Sequence, residues 1–261
     1  MSSEHVMNVP SSYWGLWQRT LLATSDTMDT SSRVYWLQTS SWHADIRIPA
    51  SRPDFTGVRS LADCSGKQLS WLAKQQGFVG ITVVTENQCE WKRVIDFQPP
   101  SGKRDIGRMF FAHPDILLEC GVEDAYSETW ERVTDDQAEQ CFALQLLDQG
   151  GAAELANYLL VSGNHFIYSR NRSAGLALQA FKSSDQLSHY PQDVLVQLLD
   201  FEISFGLTQG AGDPWQITLS TLPWREGRSL FEKELAFIPV SGICRNPGSG
   251  KQWRVLCWNP E

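Results

Sequence analysis

A chain of 261 residues in which 42% are hydrophobic, with 11 Trp and 12 Phe, has ample material for a packed core and lies far from the composition of disorder. Its formal net charge of −8 lacks the basic footprint that nucleic acid or an anionic bilayer rewards, so neither is expected as a partner. No run approaches the roughly 20 apolar residues of a membrane-crossing helix, residues 1–10 lack the basic-then-apolar pattern of an export signal, and the six scattered cysteines (Cys64, Cys89, Cys120, Cys141, Cys244, Cys257) read as reduced thiols, so the expected location is cytoplasmic.

Apolar residues alternate with period 2 along most of the chain, the pattern of strands with one buried face. Taken in order, the alternation predicts strands over 13–23, 33–40, 43–49, 78–85, 89–97, 107–112, 115–120, 127–133, 140–147, 153–162, 165–171, 201–208, 215–220, 235–240 and 252–258. The cleanest is Phe201, Ile203, Phe205 and Leu207 against Glu202, Ser204, Gly206 and Thr208. Glu86-Asn87, Ser162-Gly163-Asn164, Gly210 to Pro214 and Gly248 to Lys251 read as hairpin turns, which implies antiparallel neighbours. Helix is minor. Lys67–Gln76 carries Leu69, Leu72 and Ala73 at helical spacing before Gly77 and is expected to cap a barrel mouth, and a second helix falls within 174–199, after Pro191.

So many short strands cannot remain in an open sheet without exposed edges, so an all-β antiparallel meander closed into a barrel is the expected fold. The chain reads as one domain over 1–261, with a worn duplication of two barrels still open. Gly15-Leu16-Trp17, early on the first strand, resembles the G-x-W element that begins calycin barrels, the superfamily of lipocalins and fatty-acid-binding proteins. The resemblance implies a lipocalin-like barrel whose floor is closed by Trp17. It also implies a basic residue of the last strand stacked on that Trp, a role that Arg254 in Gln252-Trp253-Arg254-Val255 is placed to fill.

Three stretches could carry chemistry. In His43-Ala44-Asp45-Ile46-Arg47-Ile48, alternation puts His43, Asp45 and Arg47 on one face, a set that suits acid/base catalysis if it looks inward and a solvated surface pair if it looks outward. Tyr168, Arg170 and Arg172 share a face near His165, and the calycin resemblance implies a Tyr and Arg pair inside the barrel for a ligand carboxylate; solvent-facing arginines explain the same residues. Glu119 to Arg132 reads as an acidic loop leading to an exposed strand face with Glu128, Trp130 and Arg132. Trp36 and Trp130 are further candidate ligand contacts among the surplus indoles. The sequence carries no phosphate loop, no dinucleotide fingerprint, no nucleophile elbow and no clustered Cys/His ligands, so no cofactor and no metal is expected.

The function so implied is binding of a small, partly apolar organic ligand inside the barrel, with carboxylates among the candidates. The alternative is a cofactor-independent lyase, isomerase or cyclase using His43, Asp45 and Arg47 in the same cavity. A filled barrel serving as a protein-interaction module stands beside both, and the oligomeric state is open.

Overall fold

The computed structural model describes residues 9–133, 140–147, 156–172, 190–209, 213–231, 239–240, 242–245 and 251–260. The first half contributes β1 (Gly15–Thr24), β2 (Met28–Asp29), β3 (Arg33–Gln38), β4 (Trp42–Ile48), helix α1 (Gly66–Leu72), β5 (Gln76–Thr85), β6 (Gln88–Asp96), β7 (Ile106–His113), β8 (Ile116–Gly121) and β9 (Tyr126–Arg132). These strands pair antiparallel in the order β2-β1-β3-β4-β5-β6-β7-β8-β9, and β9 returns to pair with β1. Setting aside the two-residue β2, the result is an eight-stranded meander closed into a barrel, the architecture that the alternation predicts. Closure uses a bulge between Arg19 and Leu21, so that Trp17 faces Arg132 while Leu22 faces Glu128.

The second half contributes β10 (Gln140–Leu146), β11 (Tyr158–Ser162), β12 (His165–Arg170), helix α2 (Gln192–Leu199), β13 (Glu202–Leu207), β14 (Gln216–Ser220), β15 (Pro239–Val240), β16 (Ile243–Arg245) and β17 (Gln252–Pro260). Its order, β14-β13-β12-β11-β10-β17-β16-β15, repeats the plan of the first sheet: eight strands, first paired with last, and a helix between the third and fourth. The neighbour pair without a counterpart among the described residues is β14 with β15. The barrel is thus made by the first half, and the later strands form a sheet of their own.

Most expected strands occur within a few residues of their predicted bounds. β2 and β16, two and three residues long, are too short to show an alternation. Residues 153–155 and 235–238, the helical reading over 174–189, and the turns at 210–212 and 248–250 lie outside the described residues.

Helix α1 departs from its expectation in two ways. Its start is a capping box, Ser65 accepting from the Gln68 backbone while the Gln68 side chain accepts from Ser65, but it ends at Ala73 rather than at Gly77. Gly77 lies in β5, where a Cβ would sit 2.7 Å from Ile203 Cδ1 and 2.8 Å from the Asp45 carbonyl, so its missing side chain lets the second sheet approach. Nor does α1 cap a mouth. Leu69, Trp71 and Leu72 pack with Leu198 and Leu199 of α2 in the core shared by the two sheets.

That shared core holds the outer faces of β3 and β4 (Leu37, Ala44, Ile46, Ile48) against Tyr158, Leu160, Ile167 and Ile203 of the second sheet. A second cluster fills the barrel, and a third lies on the other face of the second sheet. Each large apolar side chain so buried contributes roughly 1.5–3 kcal/mol against its chain entropy. No described helix is long and apolar enough to cross a membrane.

Candidate functional site

At Trp17 the stacked cation is not the one that the resemblance implied. Trp17 is fully buried, and its indole N–H donates to the Tyr13 carbonyl. The cation stacked on it is Arg132, whose guanidinium carbon lies 4.1 Å from the ring centroid. Arg254 is exposed on β17 in the other sheet, opposite Gln145. The physical reason is topological: the barrel closes after eight strands, so the last strand relevant to Trp17 is β9 and not the last strand of the chain. The second sheet keeps a stack at the equivalent register, where Phe142 faces Trp258 and their rings lie 4.5 Å apart at 17°.

Alternation along β4 places His43, Asp45 and Arg47 inside the barrel, while Ala44, Ile46 and Ile48 meet the second sheet, so neither face of this strand is solvated. Asp45 and Arg47 line a pocket at one end of the barrel together with Trp36, Trp91 and Trp130. Phe78, Asp105 and Glu119 complete its wall. Trp91 and Trp130 stand at 81° and 70° to Trp36, each 5.7 Å from it, so three indoles form a box. The enclosed space is only about 10 Å³, room for about one water molecule, and reaches about 240 Å³ with its open mouth.

The charges at this end are almost all spent on one another. Arg47 grips Asp45 with two bonds of 2.8 and 3.1 Å and lies 3.6 Å from Glu128. Arg19 bonds Glu128 at 2.6 Å and Asp29 at 3.1 Å, and Arg93 pairs with Asp96 and Asp105 across the Phe78 ring. Glu119 differs: its carboxyl accepts from the Tyr126 hydroxyl at 2.6 Å and the Trp130 indole at 3.0 Å, both neutral donors. Burial first, and the neighbouring Glu128 second, push its pKa up to about 8.

His43 sits one register step deeper, with none of its side chain exposed. Its tautomer follows from a directed chain of hydrogen bonds. The Gln38 amide nitrogen donates to the carbonyls of Thr39 and Trp42, so its oxygen accepts from the Trp36 indole and from the Thr82 hydroxyl at 2.8 Å. Thr82 has then used its one proton and can only accept from His43 Nδ1 at 2.9 Å, which leaves Nε2 as a bare lone pair with no partner. Burial, then Arg93, push the imidazole pKa down to about 3. The folded state therefore holds it neutral while the unfolded chain protonates below 6.5, so its stability contribution is complete above that pH and is lost as the pH falls toward 3. His43→Gln is expected to flatten the loss of stability between pH 6.5 and 3 in urea titrations made across that range, with a smaller effect at pH 8.

Of the residues singled out in the sequence, the pocket brings together Trp36, Asp45, Arg47 and Trp130, and His43 lies behind them. Tyr168 and Arg170 do not join them. They stand on β12 in the second sheet, where Arg170 bonds Asp200 at 2.6 Å and lies 3.8 Å from Glu202. Burial, with Glu202 adding to it, pushes the Tyr168 hydroxyl up to about 12. Of the acidic stretch, Glu123 and Asp124 lie in an exposed loop as expected, but the strand face is corrected, since Glu119, Glu128 and Trp130 are buried on the inward faces of β8 and β9. Glu119, Asp105, Trp91 and Phe78 were not legible as site residues. The usable signal was Glu128-Thr129-Trp130-Glu131-Arg132, whose alternation pairs an acid with an indole on the face that must close the barrel.

No family model matches the sequence, and no curated protein matches it. Among solved structures the fold is similar to the uncharacterized protein YLR301w of Saccharomyces cerevisiae, with a TM-score of 0.56 at 11% identity over 94% of this chain and 98% of that one. The likeness extends over both halves, and at this identity it is a likeness of fold alone.

Proposed function

We propose that this chain is a calycin-like binding protein, two barrels of one plan, whose first barrel receives a small, partly apolar molecule at its charged end. The carrying observation is the indole box of Trp36, Trp91 and Trp130 opening on Asp45, Arg47 and Glu119, an aromatic concavity with a few convergent polar groups. The calycin assignment draws its support from Gly15-Leu16-Trp17 at the head of β1 and the Arg132 stack, and the two-barrel reading from the repeated strand order and the matching helix positions. The filled interior limits the ligand to a small group held near the mouth rather than a long chain threaded through the barrel.

Binding is favoured over turnover by how the acid/base candidates are occupied. Asp45 is gripped by Arg47, and His43 is sealed behind the pocket with a pKa far below neutrality. The test is indole fluorescence against small amines, alcohols and carboxylates, together with native mass spectrometry of protein from its own source. Saturable quenching that Trp130→Phe weakens by about tenfold or more is the expected result. A chain that arrives empty and responds to no probe of any charge would overturn the reading in favour of a filled interaction module.

A further inference from the structure

We propose that the pocket at the charged end of the first barrel takes the primary ammonium group of a small aliphatic amine, an inference that rests on the binding reading above and names its ligand class. The Trp36 and Trp130 indole N–H groups are already given to Gln38 and Glu119, so what these rings offer the cavity is their π surface. Phe78 shows the preference of such a wall, carrying the guanidinium of Arg93 at 3.7 Å and that of Arg47 at 5.4 Å.

The charge balance agrees. Arg19, Arg47 and Arg93 are shared among Asp29, Asp45, Asp96, Asp105 and Glu128. Glu119 is a sixth acid, 3% exposed, and among the described residues no cation contacts it. An anion entering here would meet Asp45, Asp105 and Glu119 with each arginine already engaged. An ammonium would supply the missing counter-charge. Space then selects among cations, because a void for about one water admits a compact –NH₃⁺ and not a guanidinium or a quaternary centre.

Proton linkage gives the proposal its test. Glu119 is faced by Glu128 and Tyr126 from β9, Arg47 from β4, Asp105 from the segment before β7 and the Cys89 thiol from β6. In the free protein burial and Glu128 favour its protonated form, and an entering ammonium favours its ionised form. Binding should therefore release protons near neutral pH, and affinity should rise from pH 7 to pH 9.

The experiment is isothermal titration of the full chain with propylammonium, propan-1-ol and propionate at pH 7 and pH 9. Each is run in two buffers of different ionisation heat, with indole fluorescence as a second readout. The expected result is selective binding of propylammonium with the proton release and pH rise above, both lost in Glu119→Gln, whose near-ultraviolet circular dichroism reports its fold. Equal binding of the alcohol or the carboxylate, or amine binding with no proton released by the wild type, overturns this inference and leaves the binding reading standing. Silence from all three probes overturns this inference, and overturns the binding reading too where the chain also arrives empty from its own source; the wild-type pH dependence decides the matter even if the variant does not fold.

Discussion

Arg132→Ala is expected to remove about 3 kcal/mol of stability, the largest effect of any single change at the barrel floor. The guanidinium does two jobs at once. Its flat face covers the buried Trp17 ring, and its edge donates to the carbonyls of Trp14, Ser12 (2.7 Å) and Pro114 (3.2 Å) and to the Asp115 carboxylate (3.1 Å). One side chain thereby ties the turn before β1 to the β7–β8 hairpin, on the seam where β9 meets β1. Truncation strips those acceptors of a charged donor and opens the floor. Arg132→Lys keeps the charge but neither the plane nor the fork, so it is expected to recover less than half of the loss. Urea denaturation followed by indole emission measures both variants, with Arg254→Ala as the control expected to show no measurable change. A loss at Arg254 equal to that at Arg132 would return the closing role to the end of the chain.

That comparison shows where sequence reasoning succeeds and where it stops. Alternation located the strands because each has one face in a core, and it grouped His43, Asp45 and Arg47 correctly because period 2 is a property of the local backbone. It could not say which face looks inward, since β4 is buried on both sides: Ala44, Ile46 and Ile48 cover the second sheet while the charged face fills the barrel. The usual inference that apolar means inside is thus inverted for this strand. Arg254 is the residue that a barrel spanning the whole chain would use, whereas this barrel closes at Arg132. Glu119 is hidden from such reasoning because an acid in a polar stretch is most often solvated. Its burial depends on Gly107, where a Cβ would lie 2.8 Å from Glu119 Cγ, a contact 12 residues away in sequence that no local pattern encodes.

The joint between the halves rests on Arg172, and Arg172→Ala is expected to cost about 4 kcal/mol, more than the loss at the partly exposed Arg132 because almost none of this side chain meets water. Its guanidinium donates to the Leu198 carbonyl of α2 and to the backbone carbonyls of Asp96 at 3.1 Å and Phe97 at 2.6 Å, and packs 4.8 Å from the Phe201 ring and 5.2 Å from that of Phe97. Residues before β13 and the end of β6 are thereby held to one cation. Burial pulls its pKa down to about 10, against the opposing pull of Asp96 and Asp200, so it stays charged at neutral pH with carbonyls as its main partners. Arg172→Met separates the two contributions, because it keeps an aliphatic stem against Phe97 and Phe201 while removing every donor. If the carbonyl bonds dominate, Met loses nearly as much as Ala, and the loss reads as a lower urea midpoint at unchanged pH. If Met retains most of the wild-type stability, the ring packing carries the joint, and the desolvation of a charge among carbonyls nearly cancels the bonds it makes.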